Sequence, residues 1–226
     1  TKSIVPLYVA SFLGDKATMI LSIAIPIYAY RLGASPIILG LIGAFGGLTY
    51  TMTAIISGKI SERIDKRILL LIAALLQSVT SFAYSLSNNY LSIILLSGLQ
   101  SVALGIFWPN MESLLVERVQ STHLDKIIMG FNISWSIGSI AGPFLGGVLI
   151  ELFSPSAAFY TGATLPLIAG SLVVFSSSTE VQKKRAKESP KTRNNGSTSL
   201  RGLTTTYISV FLFAFCMRTV ISLFPV

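Results

Sequence analysis

The chain is short of charge, histidine and cysteine. Only 12% of its 226 residues are Asp, Glu, Lys or Arg, where a soluble domain carries about a quarter. One cysteine, Cys216, excludes a disulfide within the chain, and a single histidine, His123, leaves no Cys/His-rich zinc site. Apolar residues take the place of the missing polar ones, at 52% of the chain, with a mean hydropathy of +0.71. A chain of this length cannot bury that much apolar surface in one core, so lipid must be most of its solvent. A net charge of +8 invites a nucleic-acid reading, but the placement of the cations decides the matter.

A membrane-crossing helix needs about 20 mostly apolar residues. Seven stretches qualify, roughly 4–30, 36–57, 68–87, 91–111, 127–152, 157–178 and 203–226. Turn or charge signals separate the first six: RLGASP at 31–36, GKISERIDKR at 58–67, SNNY at 87–90, ERVQSTHLDK at 117–126 and SPS at 154–156. The first stretch is too long for a signal-peptide core, and no small-residue cleavage pattern follows it. With the N terminus in the cytoplasm, the inner side holds Lys2, four cations of 58–67, Arg118, Lys126 and seven cations of 183–201; only Arg31 falls outside. That asymmetry sets the orientation and accounts for the charge without nucleic acid. The segment 179–202 is polar, basic and rich in Ser, Thr and Asn, and reads as a cytoplasmic linker. A polybasic lipid-binding patch is the alternative reading of the same cations.

A weak repeat crosses the linker. Tyr8, Phe12, Leu13 and Pro26 match Tyr207, Phe211, Leu212 and Pro225 at a constant shift of 199. Six spans, a linker and a second beginning are what a six-plus-six parallel repeat produces. The expected organisation is therefore a six-helix half at 1–178, the linker at 179–202, and the first helix of a truncated second half at 203–226. The partner of the first half would be the missing remainder of the same protein or a second copy.

Two motifs carry a family resemblance. GKISERIDKR places Gly58, Glu62, Arg63, Lys66 and Arg67 at the positions of a signature loop between the second and third spans. Glu62 stands where Asp is usual, and Asp65 where Gly is usual, which suggests a less tight turn. GSIAGPFLGG supplies Gly138, Gly142, Pro143, Gly146 and Gly147 in the pattern G-x-x-x-G-P-x-x-G-G. These motifs resemble those of the major facilitator superfamily, the second being typical of its antiporter and drug-efflux branch. A fourth-span motif, R-x-x-Q-G, is incomplete: SGLQS has Ser97 and Ser101 at its ends and keeps only Gln100.

The resemblance implies an all-α membrane protein, a six-helix transmembrane bundle of major facilitator type followed by a seventh span. It covers the whole chain but only half of a usual member, which has about twelve spans. It also implies a secondary active transporter in the plasma membrane, moving a small-molecule substrate by alternating access, as efflux or ion-coupled exchange. No enzyme activity or cofactor is expected, beyond a coupling proton or other ion. In the family the 58–67 loop contacts the other half, so Glu62 would meet a helix N terminus or cation there, and Arg63 and Arg67 would tether helix ends.

Residues of the spans suggest the pathway. Asp15 falls near mid-membrane and must face the bundle interior or a water-filled cavity. Helical spacing aligns it with Tyr8, Phe12, Met19, Ser22 and Pro26. Lys16 is turned about 100° away. Arg218 aligns with Met19 in the repeat, so Asp15 and Arg218 are expected to approach each other in at least one transport state; the alternative is neutralisation within each half. Trp108, beside Pro109, reads as a cavity wall for a flat or cationic substrate, or as packing. Glu112 reads as a proton carrier or as the partner of a loop cation. Gln77 and Gln100 read as helix–helix hydrogen-bond partners.

Helix propensity argues against the fifth span, since each Gly costs about 1 kcal/mol and an interior Pro about 3 kcal/mol. Gly138, Gly142 and Gly146 instead form a groove, either for packing inside the half or for sealing against the second half. Competing enzyme classes lack their motifs. Asp15 follows FLG, not the G-x-G-D of membrane aspartyl proteases, and no G-x-S-G or nucleotide-binding G-x-x-x-x-G-K-[ST] occurs. A non-transporting receptor or adaptor of the same fold remains the other class.

Overall fold

A computed structural model describes residues 4–118 and 124–176. Six helices account for almost all of them: α1 (Val5–Arg31), α2 (Pro36–Ile60), α3 (Lys66–Ser85), α4 (Tyr90–Glu117), α5 (Leu124–Leu152) and α6 (Pro155–Phe175). Each is long and apolar enough to cross a membrane, and no strand occurs among the described residues. The linker, the seventh span, Arg218 and His123 lie outside the described residues.

Local chemistry starts these helices where polar caps occur. Ser35, Asn89 and Ser154 each accept a hydrogen bond from the backbone N–H three residues on, and proline opens α2 and α6. Gly33, at φ 86°, ends the turn after α1 and is the one described residue in the left-handed region. Asp65 corrects the expectation about the α2–α3 loop. It caps α3, accepting from Arg67 N at 3.0 Å, with φ −59°, so this turn does not need the glycine usual there. Three spans also run further than hydropathy suggested by three residues or more: α2 continues to Ile60, α4 continues to Glu117 and α5 begins at Leu124, because amphipathic turns extend helices past their apolar stretches.

Burial follows the membrane pattern. Ile37, Ile140 and Phe144 stand bare on the outside, an apolar exterior that water would not favour. Two apolar clusters fill the inside. One gathers Leu7, Leu70, Phe107, Met111 and Phe131 near the α2–α3 turn. The other gathers Ile20, Leu21, Tyr84, Ile93 and Phe159 near the opposite end. Helix α1 packs chiefly on α5 and α6, α2 on α4, and α3 on α4 and α6.

The glycine groove of α5 is filled from within. A Cβ on Gly138 would lie 2.8 Å from Phe12 O, one on Gly142 2.9 Å from Lys16 O, and one on Gly146 3.1 Å from Ile20 O. All three neighbours belong to α1, so in this state the groove packs inside the half and cannot also seal against a second one. Gly147 faces open space. Helix α4 does the same against α2: a Cβ at Gly105 would stand 2.9 Å from Tyr50 O, and one at Gly98 would overlap the Phe45 ring.

The end of the bundle near the α2–α3 turn is tied by Lys66. Its side chain is 7% exposed and that of Glu117 26%; the ammonium binds the Glu117 carboxylate and the Ser113 hydroxyl. The pair joins the first turn of α3 to the last turn of α4.

Two predictions follow from this packing. Gly142→Ala should lower unfolding stability by about 1–3 kcal/mol through overpacking, while Gly147→Ala should be neutral or stabilise by about 0.5–1 kcal/mol through helix propensity. Denaturant titration in mixed micelles checks the opposite signs. Glu117→Gln should destabilise by less than the about 3–5 kcal/mol of a fully buried broken pair, because Glu117 keeps some solvent. Lys66→Met with Glu117→Leu should recover most of that loss, and a double variant as unstable as the single one would refute the clamp.

Candidate functional site

The polar stripe of α1 divides into two parts. Its first part is a seam with α5. Tyr8 donates from its hydroxyl to Ile127 O at 3.0 Å, Ser134 of α5 donates to Tyr8 O, and Gly138 sits against Phe12. Asp15 continues this seam. It is 4% exposed and accepts a hydrogen bond from Ser139 Oγ at 2.5 Å. No cation lies within salt-bridge distance of it among the described residues. The second part, from Met19 through Ser22 to Pro26, lines a cavity between α1, α2 and α4.

Asp15 therefore faces the bundle interior, as its charge requires, but it lies in the helix seam and does not line that cavity. Lys16, on the adjacent face, is half-buried, with its ammonium 5.5 Å from the centre of the Phe12 ring. No carboxylate pairs with it among the described residues.

Trp108 belongs to packing. It meets Phe107 edge-on at 5.3 Å and Phe131 at 6.4 Å, against the first apolar cluster. Glu112 is exposed on the surface of α4. The acid of α4 that does pair with a cation of the α2–α3 region is Glu117, about one and a half turns further along, which sequence reading passed over. A charged residue just past the apolar stretch was its only signal. In the α5 start, Trp135 Nε1 donates to Asn132 Oδ1 at 3.1 Å.

The expected gating residues separate by element. Gly58 lies in the last turn of α2 with open space around it. Glu62 and Arg63 are exposed in the turn. Lys66 and Arg67 open α3. The tether seen here is made by Lys66, whereas Arg67 reaches Asp65 at 3.9 Å. At the same end of the bundle, burial and then the nearby Arg67 guanidinium hold Arg118 below its ordinary range.

Hydrogen bonds knit the cavity walls together. Gln77 Nε2 donates to Thr18 Oγ1 at 3.3 Å, and Thr80 donates to Gln100 Oε1 at 2.5 Å, so both glutamines join helices as expected. Asn110 was missed. Its Nδ2 donates to Ser57 Oγ at 2.7 Å across α2 and α4. An amide inside an apolar stretch was the available signal.

Comparison with known proteins agrees with this architecture. A profile described as the Major Facilitator Superfamily matches residues 7–226. The chain is 24% identical over 147 residues to the uncharacterized MFS-type transporter YfiS of Bacillus subtilis (strain 168), covering 65% of this chain and 35% of YfiS. It is 29% identical over 123 residues to the 4-hydroxybenzoate transporter PcaK of Pseudomonas aeruginosa, covering 53% of this chain and 27% of PcaK. Against the quinolone resistance protein NorA of Staphylococcus aureus it is 24% identical over 145 residues, covering 64% of this chain and 37% of NorA. The chain thus spans about a third of the length of the curated relatives it matches. Its fold is shared with a bacterial homolog of the human lysosomal transporter Spinster, solved inward-facing and unoccupied. That match has a TM-score of 0.67 at 13% identity, over 87% of this chain and 45% of the other. A bundle of six membrane-span helices and a profile match over nearly the whole sequence have one common reading: this chain belongs to the major facilitator superfamily.

Proposed function

We propose that this chain is part of a secondary active transporter that moves a small solute by alternating access, as efflux or ion-coupled exchange. Residues 1–178 form the first half, 179–202 a cytoplasmic linker, and 203–226 the first helix of a second half. The protein sits in the plasma membrane with its N terminus and linker inside, and carries out no enzymatic reaction. Family membership supports transport. The α5 glycine pattern, which resembles the antiporter branch, and a relative named for quinolone resistance support export.

The observation that carries the reading is Asp15. A buried carboxylate inside a membrane span is costly. Here it is held by one hydroxyl, Ser139, with no cation within salt-bridge distance among the described residues. Such a group suits a coupling site, able to take a proton or another cation or to pair with Arg218 when Asp15 turns out of the α5 seam. Lys16 and Glu112 are the other charged groups of the pathway, with Met19 in the cavity wall and Trp108 supporting α4. Glu62 and Arg63, exposed in the α2–α3 turn, are available to the second half for gating.

Solute counterflow by the full-length protein in liposomes tests this, with a quinolone and 4-hydroxybenzoate as first solutes. Asp15→Asn keeps an acceptor for Ser139, so it should preserve the fold. Asp15→Asn and Arg218→Gln should each slow exchange by roughly tenfold, ~1.4 kcal/mol of barrier, and the Asp15→Arg, Arg218→Asp exchange should restore part of it. Absence of any rescue would remove the pairing. Failure of either solute to exchange, with no counterflow in a wider solute panel, would favour a receptor or adaptor instead.

A further inference from the structure

A cavity of about 190 Å³ opens between α1, α2 and α4, with Tyr84 of α3 in its wall. Met19, Ile25, Leu39 and Leu104 make its lining largely apolar, and no Asp, Glu, Lys or Arg is among the residues that line it. Two of its polar side chains are incompletely bonded. Gln100 is 5% exposed and Tyr84 is fully buried, yet Gln100 Nε2 and the Tyr84 hydroxyl have no hydrogen-bond partner among the described residues. Unpaired polar groups are rare in buried positions, and each one calls for a cause.

Tyr84 and Gln100 both line the cavity, and neighbouring contacts hold the two side chains in place. The Tyr84 ring stacks on Phe159 at 5.4 Å, which keeps its hydroxyl from swinging to another partner. Gln100 is held through Thr80. Thr80 has one hydroxyl proton, and the carbonyls of Leu76 and Gln77 also lie within its reach. Either amide atom of Gln100 can therefore meet Thr80, and the other is left over in both orientations.

We propose that this cavity binds one uncharged six-membered ring carrying a hydroxyl or carbonyl group, phenol being the simplest example. The volume suits a single ring, since an apolar cavity of about 150 Å³ in another protein holds benzene. A charged substituent would be stripped of water with no counter-charge in the lining. A hydroxyl both donates and accepts, so it complements Gln100 in either orientation and the Tyr84 hydroxyl as well. Apolar walls with a few placed polar atoms are the usual make-up of a small-molecule site. Binding here does not depend on transport, so it stands or falls separately from the carrier reading.

Fluorine NMR on the full-length protein in lipid nanodiscs tests it, with empty nanodiscs as the partition blank. The probes are 4-fluorophenol, fluorobenzene and 4-fluorobenzoate. Protein-dependent, saturable binding of 4-fluorophenol is expected, with fluorobenzene weaker by about three- to tenfold, the worth of one hydrogen bond. Binding of 4-fluorobenzoate in competition with 4-fluorophenol is not expected. Tyr84→Phe removes a hydroxyl without a partner, so it should leave the unfolding midpoint level or higher. It should lower 4-fluorophenol affinity toward that of fluorobenzene and leave fluorobenzene unchanged. Gln100→Leu should act in the same direction. The assignment is overturned by no saturable 4-fluorophenol binding, by equal affinity for 4-fluorophenol and fluorobenzene, by unchanged affinity in folded Tyr84→Phe, or by 4-fluorobenzoate displacing 4-fluorophenol.

Discussion

Lipid gives helices no hydrophobic reason to associate, so they must touch through close packing and hydrogen bonds. The α1–α5 seam answers that constraint, and most of the bundle is referred to it. Three glycines of α5 let its backbone lie against Phe12, Lys16 and Ile20 of α1. At this separation Ser134 reaches Tyr8 O and Ser139 reaches Asp15. A wider seam would leave the Asp15 carboxylate buried without its donor. It would also shift Met19, whose Cβ touches Gly142 and whose side chain enters the cavity.

Helices α2 and α4 repeat the device with different residues. Gly98 and Gly105 admit Phe45 and the Tyr50 carbonyl, while Ser97 and Asn110 supply the hydrogen bonds, to Ile42 O and Ser57. The cavity lies between these two tight seams. At one end of the bundle the Lys66–Glu117 pair joins α3 to α4, so the charged turn is anchored while Glu62 and Arg63 stay exposed.

Much of this could be read from residues alone. Six apolar stretches become six helices, and α2, α4 and α6 start beside Ser35, Asn89 and Ser154, because membrane length and cap chemistry are local properties. The glycine repeat at 138, 142 and 146 marked a close approach correctly, since its spacing puts all three on one face. Its partner was not readable. Either α1 or a second half could have filled the groove, and periodicity carries no information about which helix comes near. The same limit applies to Asp15: its burial followed from charge in lipid, whereas Ser139 as its donor depends on how α5 is rotated.

Sequence by itself determined the environment, six of the spans, the family and the positions where helices could come close. Each of these follows from composition, length or spacing along one helix. Tertiary structure decided the pairings. It made Asp65 a helix cap, assigned the cation clamp to Lys66 and Glu117, moved Trp108 into packing and left the Tyr84 hydroxyl and one amide atom of Gln100 unpaired among the described residues beside a cavity. Those outcomes depend on the rotation and depth of one helix against another, which are set by side chains from distant parts of the chain meeting in space.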